Sequence, residues 1–204
     1  MAKRVKAPPG LDYDPVVGET EHLSFGVAQA GGERSLTATR FVGKRLFPVS
    51  PPDDWGAEWP HPTCLRADVL LPAGAGDDCW ETRQLCEAYD RQGFGGLRDL
   101  VIITTVRFPD IDGVASSMRL HAAWEDARGF ARSLVDNYGA PLVMVMHVPA
   151  RAGRPGHPHV HLMMLARELL PSGFGKFVRA LLSENGRDEI DKAWAAWRAR
   201  SVEP

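Results

Sequence analysis

Four of the seven histidines, His147, His157, His159 and His161, fall within a stretch of 15 residues. Side chains at positions i and i+2 of a β-strand share a face, so His159 and His161 are expected to point the same way. A hairpin through the proline- and glycine-rich loop 149–156 would place His147, at the end of the preceding strand, beside them. Three neutral imidazoles that converge on one point can bind a divalent metal and leave coordination positions open for substrate oxygens.

A purely structural explanation of these histidines is the alternative. A lone histidine in a strand usually serves as a hydrogen-bonded structural residue. Three adjacent imidazoles with neither a metal nor a carboxylate repel each other whenever they are protonated. Imidazole is also the commonest metal ligand among protein side chains. The arrangement therefore favours metal or phosphate chemistry over structural coincidence.

The segments around the histidines alternate between strand and helix signals. Region 99–108 is rich in β-branched residues and is the clearest strand, and the 3–4 spacing of apolar residues in 116–138 is typical of a helix. Strands are also predicted at 22–28, 65–71, 142–148 and 159–166, and helices at 35–47 with Ser35 as N-cap, at 77–92, at 174–182 and at 187–200. With 100–108, 142–148 and 159–166 at the centre of an antiparallel sheet, this pattern predicts an α+β sandwich.

Composition restricts the classes of protein to which the chain can belong. The 204 residues are 44% hydrophobic and 25% charged, which is typical of a globular protein with a sizeable core. Prolines disfavour helix in residues 1–21, so we predict an extended N-terminal arm followed by a single domain at 22–204. We expect neither a membrane span nor a signal peptide, because no apolar run is long enough. Three cysteines without a CxxC pair predict a reducing, cytoplasmic location.

The net charge of −2 argues against a protein that coats nucleic acid through its overall charge. A nucleic-acid role must therefore depend on a local basic patch. The segment 34–45 contains four cations and no acid, and the loop beside the histidines contains two more. The candidate phosphate contacts are Arg34, Arg40, Lys44, Arg45, Arg151 and Arg154. An ordinary solvated surface accounts for the same six cations equally well.

The segment Gly156-His-Pro-His-Val-His-Leu-Met-Met-Leu-Ala-Arg167 resembles the metal-binding motif of plasmid-mobilisation relaxases of the MobA/MobL type. These enzymes belong to the HUH endonucleases, named for a His-hydrophobic-His motif. Their pattern has a histidine at the end of one strand, a glycine-rich loop and then a PHxH sequence. His147, the loop 149–156 and His159-Val160-His161 occupy those places. The resemblance extends weakly over residues 22–200.

This resemblance implies an HUH-relaxase-like sandwich with a central antiparallel sheet and helices packed on it. It implies a divalent metal (Mg, Mn or Zn) on His147, His159 and His161, and single-stranded DNA as the substrate. It also implies other mobilisation proteins as partners, and a role in plasmid mobilisation or conjugative transfer. In such metal-dependent nickases a tyrosine attacks the scissile phosphate and remains linked to the 5′ end of the cut strand.

The position that corresponds to this tyrosine is the main departure from the family pattern. Counting from His22 places it at Phe41, which has no hydroxyl and cannot attack a phosphate. The chain has three tyrosines. Tyr13 lies in the proline-rich arm, and Tyr89 and Tyr138 lie on predicted helices at positions expected to pack against the core. The catalytic residue therefore stays unassigned.

Two other classes of function stay open at this level. His157, His159 and His161 also satisfy the spacing of histidine-triad nucleotide hydrolases, in which the middle histidine is the nucleophile and no metal is needed. A non-catalytic HUH-fold protein that binds DNA or a partner protein is the other alternative. His147 discriminates the metal site from the hydrolase, because the metal site requires His147 and the hydrolase requires His157. Phe41 discriminates the nickase from the non-catalytic protein.

Overall fold

A five-stranded antiparallel sheet forms the centre of the protein. The computed structural model describes residues 23–30, 36–52, 58–92, 99–108 and 119–201. The strands are β1 (Leu23–Gln29), β2 (Arg66–Leu70), β3 (Asp99–Arg107), β4 (Leu142–His147) and β5 (His159–Leu165), in the spatial order β1-β3-β5-β4-β2. The three strands predicted for the centre of the sheet, β3, β5 and β4, lie there.

Five helices accompany this sheet in the described part of the chain. They are α1 (Ala38–Leu46), α2 (Thr82–Arg91), α3 (Leu120–Tyr138), α4 (Arg179–Leu182) and α5 (Gly186–Ser201). The prediction that Ser35 is the N-cap of α1 is wrong. Thr37 caps the helix, because its side chain accepts a hydrogen bond from the backbone nitrogen of Arg40 at 3.1 Å. The predicted helix 77–92 is divided into a 3-10 turn at Asp77–Cys79 and α2.

Helices cover both faces of the central strands. Every residue of β4 and β5 is buried, including the residues on the two opposite faces. On one face, the backbone carbonyl of Arg45 in α1 accepts a hydrogen bond from His147. On the other face, α3 is joined to β2 by an ion pair between Arg128 and Asp68 at 3.0 Å. The fold is thus the predicted α+β sandwich, in which an antiparallel sheet lies between helical layers.

Helices α3 and α5 pack tightly on each other. Gly139 ends α3 in the left-handed conformation with φ 61°. A Cβ atom at Gly129 would lie 2.5 Å from the ring of Trp197, so only glycine allows this approach of the two helices. The rings of Phe130 and Trp194 meet edge-on with centroids 5.0 Å apart. The tryptophans of α5 therefore form a helix–helix interface with α3.

The predicted helix at 174–182 is wrong over its first half. Residues 173–177 form a strand, β7 (Gly173–Phe177), which pairs antiparallel with β6 (Arg167–Leu170). Only Arg179–Leu182 is helical. Gly173 has φ 111°, a conformation that no helix contains, and the backbone nitrogen of Phe174 donates to the Gln92 side chain at 2.8 Å. Backbone geometry and tertiary contacts therefore override the apolar spacing on which the helix prediction depended.

None of the helices in the described ranges combines the length and apolar character needed to span a bilayer. The predicted N-terminal arm, residues 1–21, lies outside the described residues. The first residues of the predicted helix 116–138 also lie outside them.

Candidate metal centre

The imidazoles of His147, His159 and His161 form a compact cluster. His147 and His159 are direct partners across β4 and β5, and His161 follows two residues later on the same face. The ring centroids of the three pairs lie 4.8–5.3 Å apart. One ring nitrogen from each residue lies within 4.8 Å of the other two, and all three side chains are buried. The predicted convergence of these residues is a feature of the fold.

Backbone carbonyls orient two of the three rings. His147 Nε2 lies 2.6 Å from the carbonyl oxygen of Arg45, and His159 Nδ1 lies 2.9 Å from that of His157. A carbonyl oxygen only accepts, so each of these nitrogens carries the proton. Nδ1 of His147 and Nε2 of His159 are then the atoms with a lone pair. Such outer hydrogen bonds determine the tautomer of metal-ligating histidines.

The third ring lies in the interior. His161 is completely buried, and its Nδ1 is 2.9 Å from the hydroxyl oxygen of Thr105 on β3. Burial, followed by the charges of His159, His147, Arg45 and Arg107, lowers the pKa of His161 well below its usual 6.5. His161 is therefore a neutral imidazole at pH 7. Neutral imidazole is the form that binds a metal, so the donor set fits a divalent ion.

Two arginines contribute positive charge at the cluster. The guanidinium groups of Arg45 and Arg107 both act on His161 and lower its pKa. Arg107 is the direct partner of His159 across β3 and β5, so the two residues share a face of the sheet. Positive charge of this kind favours an anion beside the histidines over a cationic ligand.

Arg45 connects Phe41 to the histidine cluster. The guanidinium carbon of Arg45 is 3.8 Å from the centroid of the Phe41 ring, and Arg45 Nη1 donates to the Phe41 carbonyl at 3.1 Å. The carbonyl of Arg45 in turn accepts the hydrogen bond from His147. The residue that the family pattern places at the nucleophile position is thus on the helix that contacts the cluster, and it is a phenylalanine.

A carboxylate from α2 holds α1 in this position. The side-chain oxygens of Asp90 accept from the backbone nitrogens of Ala38 and Thr39 at 2.8 and 3.0 Å, and from the Thr39 hydroxyl at 2.6 Å. The negative charge also complements the positive end of the helix dipole. The contact joins residues more than 50 positions apart, which is why inspection of the sequence did not identify Asp90.

The six predicted phosphate contacts do not share one environment. Arg40 is half-buried and Lys44 exposed on α1, whereas Arg45 is buried with only 7% of its surface exposed. Arg151 and Arg154 are exposed and line a cavity beside the histidines. Arg34 lies outside the described residues.

The described tyrosines lie far from the cluster. The Tyr89 hydroxyl donates to the carbonyl of Asp99 at 3.0 Å, and Asp99 is six residues along β3 from Thr105, a separation of about 20 Å. Tyr138 ends α3 just before the start of β4, and His147 lies at the far end of that strand, which is about 17 Å long. Burial raises the pKa of both tyrosines above the usual value. Both tyrosines therefore pack against the core, as the sequence predicts, and Tyr13 lies outside the described residues.

The cluster contains the histidine that a metal site requires. His147 is part of it, whereas the His157 side chain is exposed and the His157 backbone carbonyl accepts from His159. The cluster thus includes the histidine that discriminates the metal site from a histidine-triad hydrolase. Sequence reasoning missed Arg107 and Thr105. The alternation of side chains along β3 opposite His159 and His161 is the signal that could have found them.

Comparison with known proteins supports the fold. No family model matches the chain, and no curated protein matches it either. A solved structure described as the molecular basis of vancomycin resistance transfer in Staphylococcus aureus is similar, with a TM-score of 0.62 and 16% sequence identity. The match covers 86% of this chain and 90% of that one. The match shows that the two chains share a fold, and in this chain that fold carries a three-histidine group that could hold a metal ion.

Proposed function

We propose that this protein is a relaxase-like, metal-binding HUH protein of the MobA/MobL type that binds single-stranded DNA in plasmid mobilisation or conjugative transfer. The observation that carries this function is the cluster of His147, His159 and His161 on a relaxase-like sheet. Other mobilisation proteins are its expected partners, and the cytoplasm is its expected location.

The charge of the site supports a phosphate ligand. A divalent metal held by the three histidines supplies positive charge that neutralises phosphate oxygens. Arg45 and Arg107 add two guanidinium groups close enough to affect His161. A DNA phosphate bears the negative charge that the metal and these two guanidinium groups attract.

Exposed cationic side chains near the site bind the phosphates of the rest of the DNA strand. Lys44 is exposed and Arg40 half-exposed on α1, the helix that contacts His147 through Arg45. Arg151 and Arg154 are exposed on the loop between β4 and β5. Because the net charge of the chain is −2, these local groups dominate the electrostatic part of DNA binding.

Filter binding of a labelled single-stranded oligonucleotide across a salt series, with Mn²⁺ present, tests this function. We expect single strands to bind more tightly than duplex, with affinity that falls steeply as salt rises. The double variant Arg40→Ala plus Lys44→Ala is expected to reduce the slope of log K against log salt by about 1.4. Arg91→Ala plus Lys176→Ala removes the same charge near the opposite end of the sheet and is the control. Equal slopes for the two double variants would place the DNA elsewhere.

The phenylalanine at the nucleophile position favours binding without covalent chemistry. Phe41 cannot attack a phosphate, so we expect no covalent 5′-phosphotyrosyl adduct from the wild type. Phe41→Tyr adds one oxygen to a ring that already lies beside Arg45, and we expect this variant to form the adduct. The assay is a denaturing gel of labelled single-stranded oligonucleotides from the source plasmid or chromosome, incubated with Mn²⁺. A wild-type adduct that Tyr13→Phe abolishes would instead assign the nucleophile to the N-terminal arm.

A further inference from the structure

A cavity of about 480 Å³ lies directly beside His147 and His159. We propose that this cavity is a pocket for one unstacked nucleobase of a DNA strand whose neighbouring phosphate lies at the three histidines. The inference rests on the proposed function and specifies which part of the DNA the protein binds. The volume falls within the range of pockets that enclose small organic groups.

The walls of the pocket are mostly apolar. Prolines and aliphatic side chains come from the segment after α1, from the entry to β2 and from the loop after β4. Val49 and Leu65, both lining residues, are two of the five large hydrophobic side chains that are exposed in the described part of the chain. Exposed apolar surface that is concentrated in a concave site is typical of a ligand-binding pocket.

Internal hydrogen bonds preform these walls. The Thr63 hydroxyl donates to the Val49 carbonyl at 2.7 Å and accepts from the Val49 nitrogen at 3.2 Å. The backbone nitrogens of Thr63 and Cys64 both donate to the Leu46 carbonyl at 3.0 Å. Because these polar groups bond to each other, the wall presents apolar surface to a ligand and needs little rearrangement to bind one.

Charge selects which kind of apolar group enters. The exposed guanidinium groups of Arg151 and Arg154 lie at the pocket, and no carboxylate is among its described lining residues. Two histidines of the candidate metal centre line the same space. A group that is flat and apolar and is joined to a phosphate matches this combination, and a nucleotide has that chemistry.

The pocket also accounts for strand preference. A base in duplex DNA is stacked and paired, and moving it into a pocket costs the stacking and pairing free energy. A base in a single strand enters without the cost of breaking a pair. We therefore expect the pocket to contribute to the single-strand preference expected from the proposed function.

The test compares an oligothymidylate 12-mer with a 12-mer of the same length that carries abasic sites throughout, by fluorescence anisotropy with Mn²⁺ present. Both oligonucleotides have the same phosphates, so only base contacts distinguish them. We expect the wild type to bind the oligothymidylate about tenfold more tightly. Ala152→Phe fills the pocket from an exposed position, and we expect it to bind both oligonucleotides with the affinity that the wild type has for the abasic strand.

Ala122→Phe is the matched control, because Ala122 is exposed on α3, on the opposite side of the sheet. It is expected to bind as the wild type does, and Mn²⁺ uptake is expected to be equal in all three proteins. Equal affinity of the wild type for the two oligonucleotides, or unchanged discrimination in Ala152→Phe, would overturn the base pocket while leaving DNA binding intact. Failure of the wild type to bind either oligonucleotide would overturn the proposed function together with the pocket.

Discussion

The two ends of the central sheet contain similar residue types whose bonding partners differ. The histidine end comprises His147, His159 and His161 with Thr105 and Arg107, and the opposite end comprises Asp99, Tyr89 and the β6–β7 hairpin. Each end has a buried arginine with 7% of its surface exposed, Arg45 at the histidine end and Arg167 at the opposite end. Burial alone therefore does not separate a structural arginine from one that serves a site.

The partners of these two arginines differ. Arg167 donates to the backbone carbonyls of Gly175, Phe174 and Gln92, at 2.8, 2.7 and 3.3 Å. Its guanidinium thus joins β7 to the end of α2. Arg45 stacks on Phe41, and its charge reaches His161. Three carbonyls hold the Arg167 guanidinium, whereas Arg45 donates to the one carbonyl of Phe41 and adds positive charge at the histidines.

The tyrosine at the opposite end shows the same contrast with the histidines. Tyr89 is buried, donates to the Asp99 carbonyl and meets the Phe174 ring edge-on at 4.9 Å. The Tyr89 hydroxyl therefore already has a hydrogen-bond partner within the fold. Among the described residues, the group that could hold a metal lies at the histidine end, and four experiments test this contrast between the two ends.

The largest expected effect is on metal binding. Replacing two of the three ligands, His159→Ala plus His161→Ala, is expected to weaken Mn²⁺ or Zn²⁺ binding by more than about 100-fold, because one imidazole is left. Isothermal titration calorimetry measures it, with circular dichroism to verify the fold. Tyr89→Phe at the opposite end is the control and is expected to bind metal as the wild type does. Equal metal uptake by the double variant and the wild type would show that the metal does not bind at this cluster.

The next effect is on stability at the opposite end. Arg167→Met leaves three backbone carbonyls without their donor, so we expect the free energy of unfolding to fall by about 3 kcal/mol. Urea denaturation measures it. Arg91→Met, at a position with an exposed side chain, is the control and is expected to change stability by less than about 0.5 kcal/mol. A loss of metal uptake in Arg167→Met would show that the two ends are not independent.

The third experiment concerns a thiol near the histidine end. Burial raises the pKa of Cys64, which lines the pocket, to about 11 from its usual 9.0. A raised pKa favours the protonated, neutral thiol. At pH 8 the thiolate fraction is therefore expected to be about 100-fold below that of an ordinary cysteine. Alkylation by iodoacetamide, followed by mass spectrometry from pH 7 to 11, is expected to accelerate only towards pH 11. Fast reaction at pH 8 would make Cys64 a second reactive group at the histidine end.

The smallest effect is that of one hydrogen bond. Tyr89→Phe removes the bond to the Asp99 carbonyl and keeps the ring packing against Phe174, so we expect a loss of about 1 kcal/mol in unfolding free energy. Urea denaturation and metal titration are compared for the same protein. Reduced metal or DNA binding at unchanged stability would contradict the structural role of Tyr89.

Local sequence patterns were enough to predict the elements whose residues follow strand or helix periodicity. The positions of β3, β4 and β5 follow from β-branched and apolar runs, and the shared face of His159 and His161 follows from strand alternation. The placement of His147 beside them needed only a short loop between two strands. These are local properties, so local patterns were enough to predict them.

Which groups surround the histidines depends on contacts between distant segments of the chain. The basic spacing of α1 made Arg40, Lys44 and Arg45 equivalent, yet Arg45 is buried beside the cluster because the helix is docked there. Asp90 anchors α1 across more than 50 residues, and Arg107 lies opposite His159 on the neighbouring strand β3. Residues 173–177 became a strand because Gln92 and Arg167 bind their backbone. Each of these contacts joins distant segments, and its free energy exists only once the sheet and helices have assembled.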